Sequence, residues 1–351
     1  METTGGNDAD SHGGSVGAVL IYIRDCYSRR VRALAITFVL SVVAASQLWP
    51  DTAKVSGAVG LLENSTLFAV YGRGFGMAPI LGHLGTYKNM DAMAADTQAW
   101  GAKLTAVNGG KRVVTGLDLI YGLAVPCAGT TNCLLHLDQV KVDLVEEYIK
   151  PAAARGWVVI LDTQLGRSDP VAEVRRMMDR GYLKYENVHV AIDPEFHSVS
   201  GHEMPGIPIG TVTAAEVNKV QEMLNDYVVR EKLHTQKILI VHQFGDAAVH
   251  DGVPFMIADK TEVKGFANVE LVIDADGLGV PAEKVSKYNR MTDRKTYPFL
   301  RFGGIKVFFP NDWERTGHFD KPPMGVEEIF GVVPVPGKIR MATKPDVLII
   351  A

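Results

Sequence analysis

Hydrophobic residues along this chain gather into eight short, nearly unbroken runs. They cover residues 67–71, 112–120, 157–162, 188–193, 237–243, 269–274, 305–309 and 346–350, at intervals of roughly 30 to 50 residues. A strand with one solvated face alternates apolar with polar positions, whereas a continuous apolar run marks a parallel strand covered on both faces. Helical segments lie between the runs. Residues 140–155 have helical periodicity and end at Gly156, a natural C-cap. Residues 213–233 open on Thr213-Ala214-Ala215-Glu216, a capping-box pattern, and carry Val217, Val220, Met223, Leu224 and Tyr227 at helical spacing. Buried strands alternating with helices predict an α/β fold, a (β/α)8 TIM-like barrel. The sequence stops after the eighth run, so the final barrel helix is expected to be missing, with residues 50–66 covering that gap or the barrel floor. An open doubly wound sheet is the competing architecture. Its phosphate turn would be Gly72-Arg73-Gly74-Phe75-Gly76, which lacks the full G-x-G-x-x-G spacing and a convincing acidic residue further on.

The pattern changes upstream of the barrel. Residues 1–28 form a tail, polar and Gly-rich at its start, in which disorder is expected. Residues 29–49 begin with Arg29, Arg30 and Arg32 and continue as an apolar run, Ala33 to Ser46, closing on small residues. A positive start, an apolar stretch of about a dozen residues and small residues after it describe an export signal. The run falls short of the ~20 residues that span a bilayer. The segment is therefore expected to direct export, either as a cleaved signal peptide or as an N-terminal membrane anchor. The globular barrel then occupies residues 50–351.

Composition adds two constraints. The chain has 351 residues, 47% hydrophobic, and a formal net charge of −4, with no basic stripe in the globular part. Nucleic acid is excluded as a partner on that ground. Of three cysteines, Cys26 precedes the export run, while Cys127 and Cys133 flank a Gly/Thr/Asn loop. In an exported protein that pair is expected to form a local disulfide, adding roughly 2 kcal/mol in the chain-entropy model.

Barrel enzymes place their chemistry at the carboxyl ends of the strands. The most telling end is Ile192-Asp193-Pro194-Glu195-Phe196, two carboxylates on one side of a buried strand that Pro194 terminates. Other ends supply Tyr71 and Arg73, Asp162 and Gln164, His242 and Gln243, Asp274 and Asp276, and the Asn311-Asp312-Trp313 segment. Glycoside hydrolysis needs one carboxylic acid to protonate the leaving oxygen and a second group to attack or stabilise the anomeric carbon. Glu195 suits the acid, its pKa raised by partial burial and by the charge of Asp193. Asp276 or Asp274 suits the partner, and Asp193 could instead orient a substrate acetamido group. Tyr71, Arg73, Asp162, Gln164, His242, Gln243 and Trp313 are the candidate substrate contacts. No cofactor and no metal is expected in this reading, and the substrate would be a polysaccharide or peptidoglycan-type polymer.

Two other readings use the same rim. Asp193, Glu195, His197, His202, Glu203 and His242 contain enough ligands for metal-dependent hydrolysis, although no H-x-H or H-E-x-x-H pair occurs. A barrel that binds carbohydrate or cell envelope without turnover is the third. A serine or thioester mechanism has little support, because no Ser or Cys stands in an elbow context.

From Val188 onward the chain resembles a largely uncharacterised family of exported bacterial, glycoside hydrolase-like barrel proteins of the cell envelope. The resemblance rests on Ile192 to Phe196, Ile209-Gly210-Thr211-Val212, Glu216-Val217-Asn218, Lys237 to Phe244, Asp274 to Gly279, Lys284 to Tyr288 and Gly304 to Phe309. It covers roughly half the chain. Phe196 stands where the family pattern has Trp, and Pro310-Asn311-Asp312 where it has acidic residues. The resemblance implies an exported, glycosidase-like barrel and leaves the substrate open. Asn218, on a helix face shared with Val217 and Val220, is expected to bond loop backbone.

Overall fold

In the computed structural model, the described residues are 57–351 apart from 78–81, 128–131, 198–203, 246–255 and 311–317. The export segment, His202, Glu203, Asn311, Asp312 and Trp313 lie outside them.

All eight apolar runs are strands: β1 (Ser65–Gly72), β2 (Arg112–Ala124), β3 (Val158–Thr163), β4 (Val188–Ile192), β5 (Lys237–Gln243), β6 (Val269–Ala275), β7 (Phe302–Val307) and β8 (Val347–Ile350). Each pairs in parallel with its sequence neighbours, and β8 returns to β1, with Leu67 opposite Val347, so the sheet closes into a barrel. The fold is a TIM-like α/β barrel. Inward residues such as Leu67, Ala69, Val114, Ile160, Ile240, Val272 and Ile349 fill its axis, and the opposite parity packs against the surrounding helices. Both faces are therefore dry, the physical reason the runs are continuous.

The helices are α1 (Met90–Val107), α2 (Lys150–Ala154), α3 (Pro170–Asp179), α4 (Ala214–Glu231), α5 (Pro281–Met291) and α6 (Val326–Ile329). The capping box of α4 forms as its sequence suggests, with Thr213 accepting from Glu216 N–H and Glu216 accepting from Thr213 N–H. Asn218 bonds loop backbone, donating to the Glu262 carbonyl and accepting from Lys264 N–H. The helix expected over residues 140–155 starts later and differently. Lys141 adopts a left-handed φ of 61°, and Asp143 then caps the N–H groups of Val145 and Glu146. A π-helical turn, Val145–Ile149, precedes α2.

Residues 57–64, just ahead of β1, lie beneath the barrel. Val59 pairs with Thr235 just before β5, and Leu61 and Leu62 donate their N–H groups to the Glu270 carboxylate at the start of β6. Leu62 is buried among the inward residues, closing the barrel floor.

At the other end, β2 runs past the predicted residue 120 to Ala124 and pairs there with a short antiparallel strand, Leu134–His136. A disulfide between Cys127 and Cys133 ties the two segments together.

Candidate active site

The inward row changes character toward the carboxyl ends of the strands. Tyr71 of β1, Asp118 of β2, Asp162 of β3, His242 of β5, Asp274 of β6 and Lys306 of β7 all occupy that row, each buried. Asp193 and Asp276 follow directly after β4 and β6 and are also buried. The register explains the gathering: Tyr71 pairs with Asp118, His242 with Asp274, and Gly304 with Asp274. Gly304 has no side chain because none fits; a Cβ there would lie 2.7 Å from Asp274 Oδ1.

Two cations face this ring of acids. Lys306 Nζ is 3.0 Å from Asp276 Oδ2 and 3.5 Å from the centroid of the Tyr71 ring. His242 Nδ1 lies 2.9 Å from Asp274 Oδ2, and the imidazole meets Tyr71 edge-on at 6.2 Å. With five acids and two cations in so little space, and Glu195 next to them at the mouth, protonation states differ strongly.

Burial, then the charges of Asp193 and Asp276, push the Glu195 carboxyl up to about 8. Burial acts the same way on Asp162 and Asp193, each raised to about 7, and on Asp118, raised to about 6; His242 only partly offsets it. Asp276 shifts the other way. Burial works against its charge too, but Lys306, His242 and the Gly277 N–H together outweigh that and hold it below the usual carboxylate range. His242 rises to about 10: burial and Lys306 oppose its charge, while Asp274 and Asp162 favour it.

Glu195 sits at the mouth. Asp193, directly after β4, accepts a hydrogen bond from Glu195 N–H, capping the 3-10 turn Pro194–Phe196. The two carboxylates thus stand at different depths, Asp193 sealed in and Glu195 partly exposed. Gly206 approaches the outer side of Glu195; a Cβ there would lie 3.5 Å from Glu195 Oε1 and from the Phe196 ring. Exposed apolar side chains, Met204, Ile207, Leu278 and Val280, belong to the loops that follow β4 and β6.

Other predicted residues are engaged by the framework. Arg73 donates to the carbonyls of Ile120, Tyr121 and Leu135, tying β1 to the extended β2. Gln164 accepts from Ala124 N–H and donates to the Tyr71 hydroxyl at 3.4 Å. Gln243 accepts from Lys260 and donates to the Gly245 carbonyl. His197 is 2.7 Å from the Thr211 carbonyl through Nδ1.

Among the described residues, donor atoms gather closely enough for an ion in two groups, Asp118 with Asp162 and His242, and His242 with Asp274 and Asp276. Only His242 among them belongs to the ligand set read from the sequence. Asp118 and Lys306 were not among the sequence candidates. Their signal is a lone charge at an inward position of an otherwise apolar parallel strand.

No protein-family model matches this chain, and no curated protein matches it, so the chemistry of the barrel mouth is read from its own geometry.

Proposed function

We propose that the protein is an exported, glycoside hydrolase-like enzyme that cleaves a polysaccharide of the cell envelope or its surroundings by carboxylate acid–base chemistry. One contrast carries the reading: Asp276 is paired with Lys306 at 3.0 Å and held below the usual carboxylate range, while burial and the charges of Asp193 and Asp276 push Glu195 up to about 8. Titratable groups pushed apart in this way divide the roles of acid and base between them. Glu195 keeps its proton at the mouth, where a leaving oxygen could take it. Asp276 keeps its charge, where it can stabilise a positive anomeric carbon or activate water. Lys306 is a positioning residue that maintains the charge of Asp276, and Asp193 fixes the turn that carries Glu195. The apolar side chains of the rim offer faces for sugar rings. Export is supported by the pattern of residues 29–49 and by the disulfide, which belongs in an oxidising compartment.

The test is to incubate residues 50–351 with envelope polysaccharides and peptidoglycan beside Glu195→Gln and Asp276→Asn. Reducing sugar released by the wild type, falling at least 100-fold in both variants, is expected. Release unaffected by Glu195→Gln removes Glu195 as the acid. Binding without release in the wild type overturns catalysis in favour of a carbohydrate-binding barrel.

A further inference from the structure

Below the Glu195–Asp276 pair lies a second arrangement that acid–base catalysis does not use. Asp118, Asp162 and His242 stand on three different strands, and all three side chains are 0% exposed. None of the four carboxylate oxygens of Asp118 and Asp162 has a hydrogen-bond partner, and neither has His242 Nε2. Nε2 lies 3.8 Å from Asp118 Oδ2 and 3.8 Å from Asp162 Oδ2. Those separations are too long for hydrogen bonds. An unsatisfied buried polar group costs free energy, more when it is charged, so three such atoms, one from each residue and all within 4.8 Å of one another, call for an occupant.

The opposite side of the imidazole identifies the kind of occupant. Nδ1 is 2.9 Å from Asp274 Oδ2, which fixes the ring and leaves Nε2 aimed between the two carboxylates. A carboxylate holding one ring nitrogen so that the other points at further anionic ligands is the outer-shell geometry of metal-binding histidines. Ligand atoms about 2.0–2.2 Å from a tetrahedral ion lie about 3.4 Å from one another, so the two imidazole–carboxylate separations of 3.8 Å need only a small inward shift. We propose that Asp118, Asp162 and His242 form a buried site for a divalent transition-metal ion, held by two carboxylates and one imidazole nitrogen. Nitrogen and oxygen donors without sulfur suit Zn²⁺, Mn²⁺, Fe²⁺ or Co²⁺. Ca²⁺ wants six to eight oxygens and is poorly served. The ion's two positive charges balance the two carboxylates. His242 then binds through Nε2 as a neutral ring whose Nδ1–H donates to Asp274, the proton displaced from Nε2 passing to solvent. The ion site can be tested apart from the acid–base reading, since neither Glu195 nor Asp276 is needed to hold the ion, although His242 borders both sites.

The experiment strips the purified protein with a chelator and titrates it with Zn²⁺ and Co²⁺ by calorimetry, with elemental analysis after dialysis. One ion per chain is expected, with affinity at least 100-fold weaker in Asp162→Asn and His242→Gln and unchanged in Glu195→Gln. Long-range ¹H–¹⁵N spectra of Zn²⁺-loaded wild type add a readout that needs no variant, and the His242 Nε2 resonance is expected to move to a metal-bound position. The absence of a stoichiometric ion overturns the proposal, as does binding that leaves His242 Nε2 unchanged or survives in both ligand variants. Loss of polysaccharide cleavage in Glu195→Gln with the ion still bound separates the two sites.

Discussion

Lys306 and Asp276 form an ion pair of 3.0 Å inside the barrel, with both side chains almost entirely removed from water. A buried pair is expensive to assemble and still more expensive to break, because the surviving charge has no solvent to turn to. Lys306→Met is therefore expected to lower stability by about 3–5 kcal/mol in urea unfolding at neutral pH. Lys306→Met combined with Asp276→Asn removes both charges, and more than half of that loss should return. Additive losses would show that the pair is not the source of the effect.

The excess of buried acids sets how stability varies with pH. Asp118, Asp162, Asp193, Glu195 and Glu270 all have folded-state values above those of an unfolded chain. The folded state thus holds protons that the unfolded state releases, and stability falls as pH rises from about 4 through about 8. His242, raised to about 10, adds to the fall above its unfolded value. Buried His189, held well below the ordinary histidine range, and Lys237, lowered to about 7, act in the opposite direction but are outnumbered. Chelator-treated protein should melt at a higher temperature at about pH 5.5 than at about pH 8. Glu195→Gln has no such proton to lose, so its slope should be shallower and its advantage over wild type should grow toward pH 8. A slope unchanged by this substitution would contradict the raised value of Glu195.

Gly304 matters to the site through what it omits. An added Cβ would press on Asp274 Oδ1 at 2.7 Å and on Val272 at 3.1 Å, both fixed in β6. Gly304→Ala should cost about 1–3 kcal/mol by overpacking. Because Asp274 orients His242, the same change should also shift the His242 ring resonances. Stability within a few tenths of a kcal/mol of wild type would mean that β6 or β7 yields more easily than a closed sheet should.

The residues that sequence reading reached and those it missed differ for physical reasons. Asp162, Asp193, His242 and Asp274 were legible because each interrupts an apolar run near its end, and β3 to β6 end close to where their runs do. Asp118 was hidden because Leu119 and Ile120 carry the apolar run on past it, and β2 itself continues to Ala124, so no strand end marked it. Lys306 was hidden at the other boundary: β7 begins at Phe302, three residues before the predicted start. That beginning contains Gly303 and Gly304, which weaken an apolar signal although the space around them demands glycine. Arg73 resembled a rim cation because the short strand Leu134–His136, whose Leu135 carbonyl accepts from it, carries too brief a pattern to be read.

The barrel floor offers the last test. Glu270 accepts from Leu61 and Leu62 N–H, at 2.8 and 2.9 Å, and the Leu62 side chain is 0% exposed among the inward residues. Glu270→Ala strands two donors and should cost about 1–3 kcal/mol for each one left buried. Burial already pushes the Glu270 carboxyl up to about 7, against the pull of those two N–H groups. Glu270→Gln, which keeps an acceptor oxygen and removes the buried charge, should therefore cost clearly less than Glu270→Ala. Leu62→Ala should cost about 2–5 kcal/mol by opening a cavity at the foot of the axis. Leu62 and Glu270 hold the same segment in place, so the double variant should lose less than the sum of the two single losses. Unfolding in urea of the two alanine variants and their double variant decides it. Full additivity would mean that the segment ahead of β1 does not act as one plug.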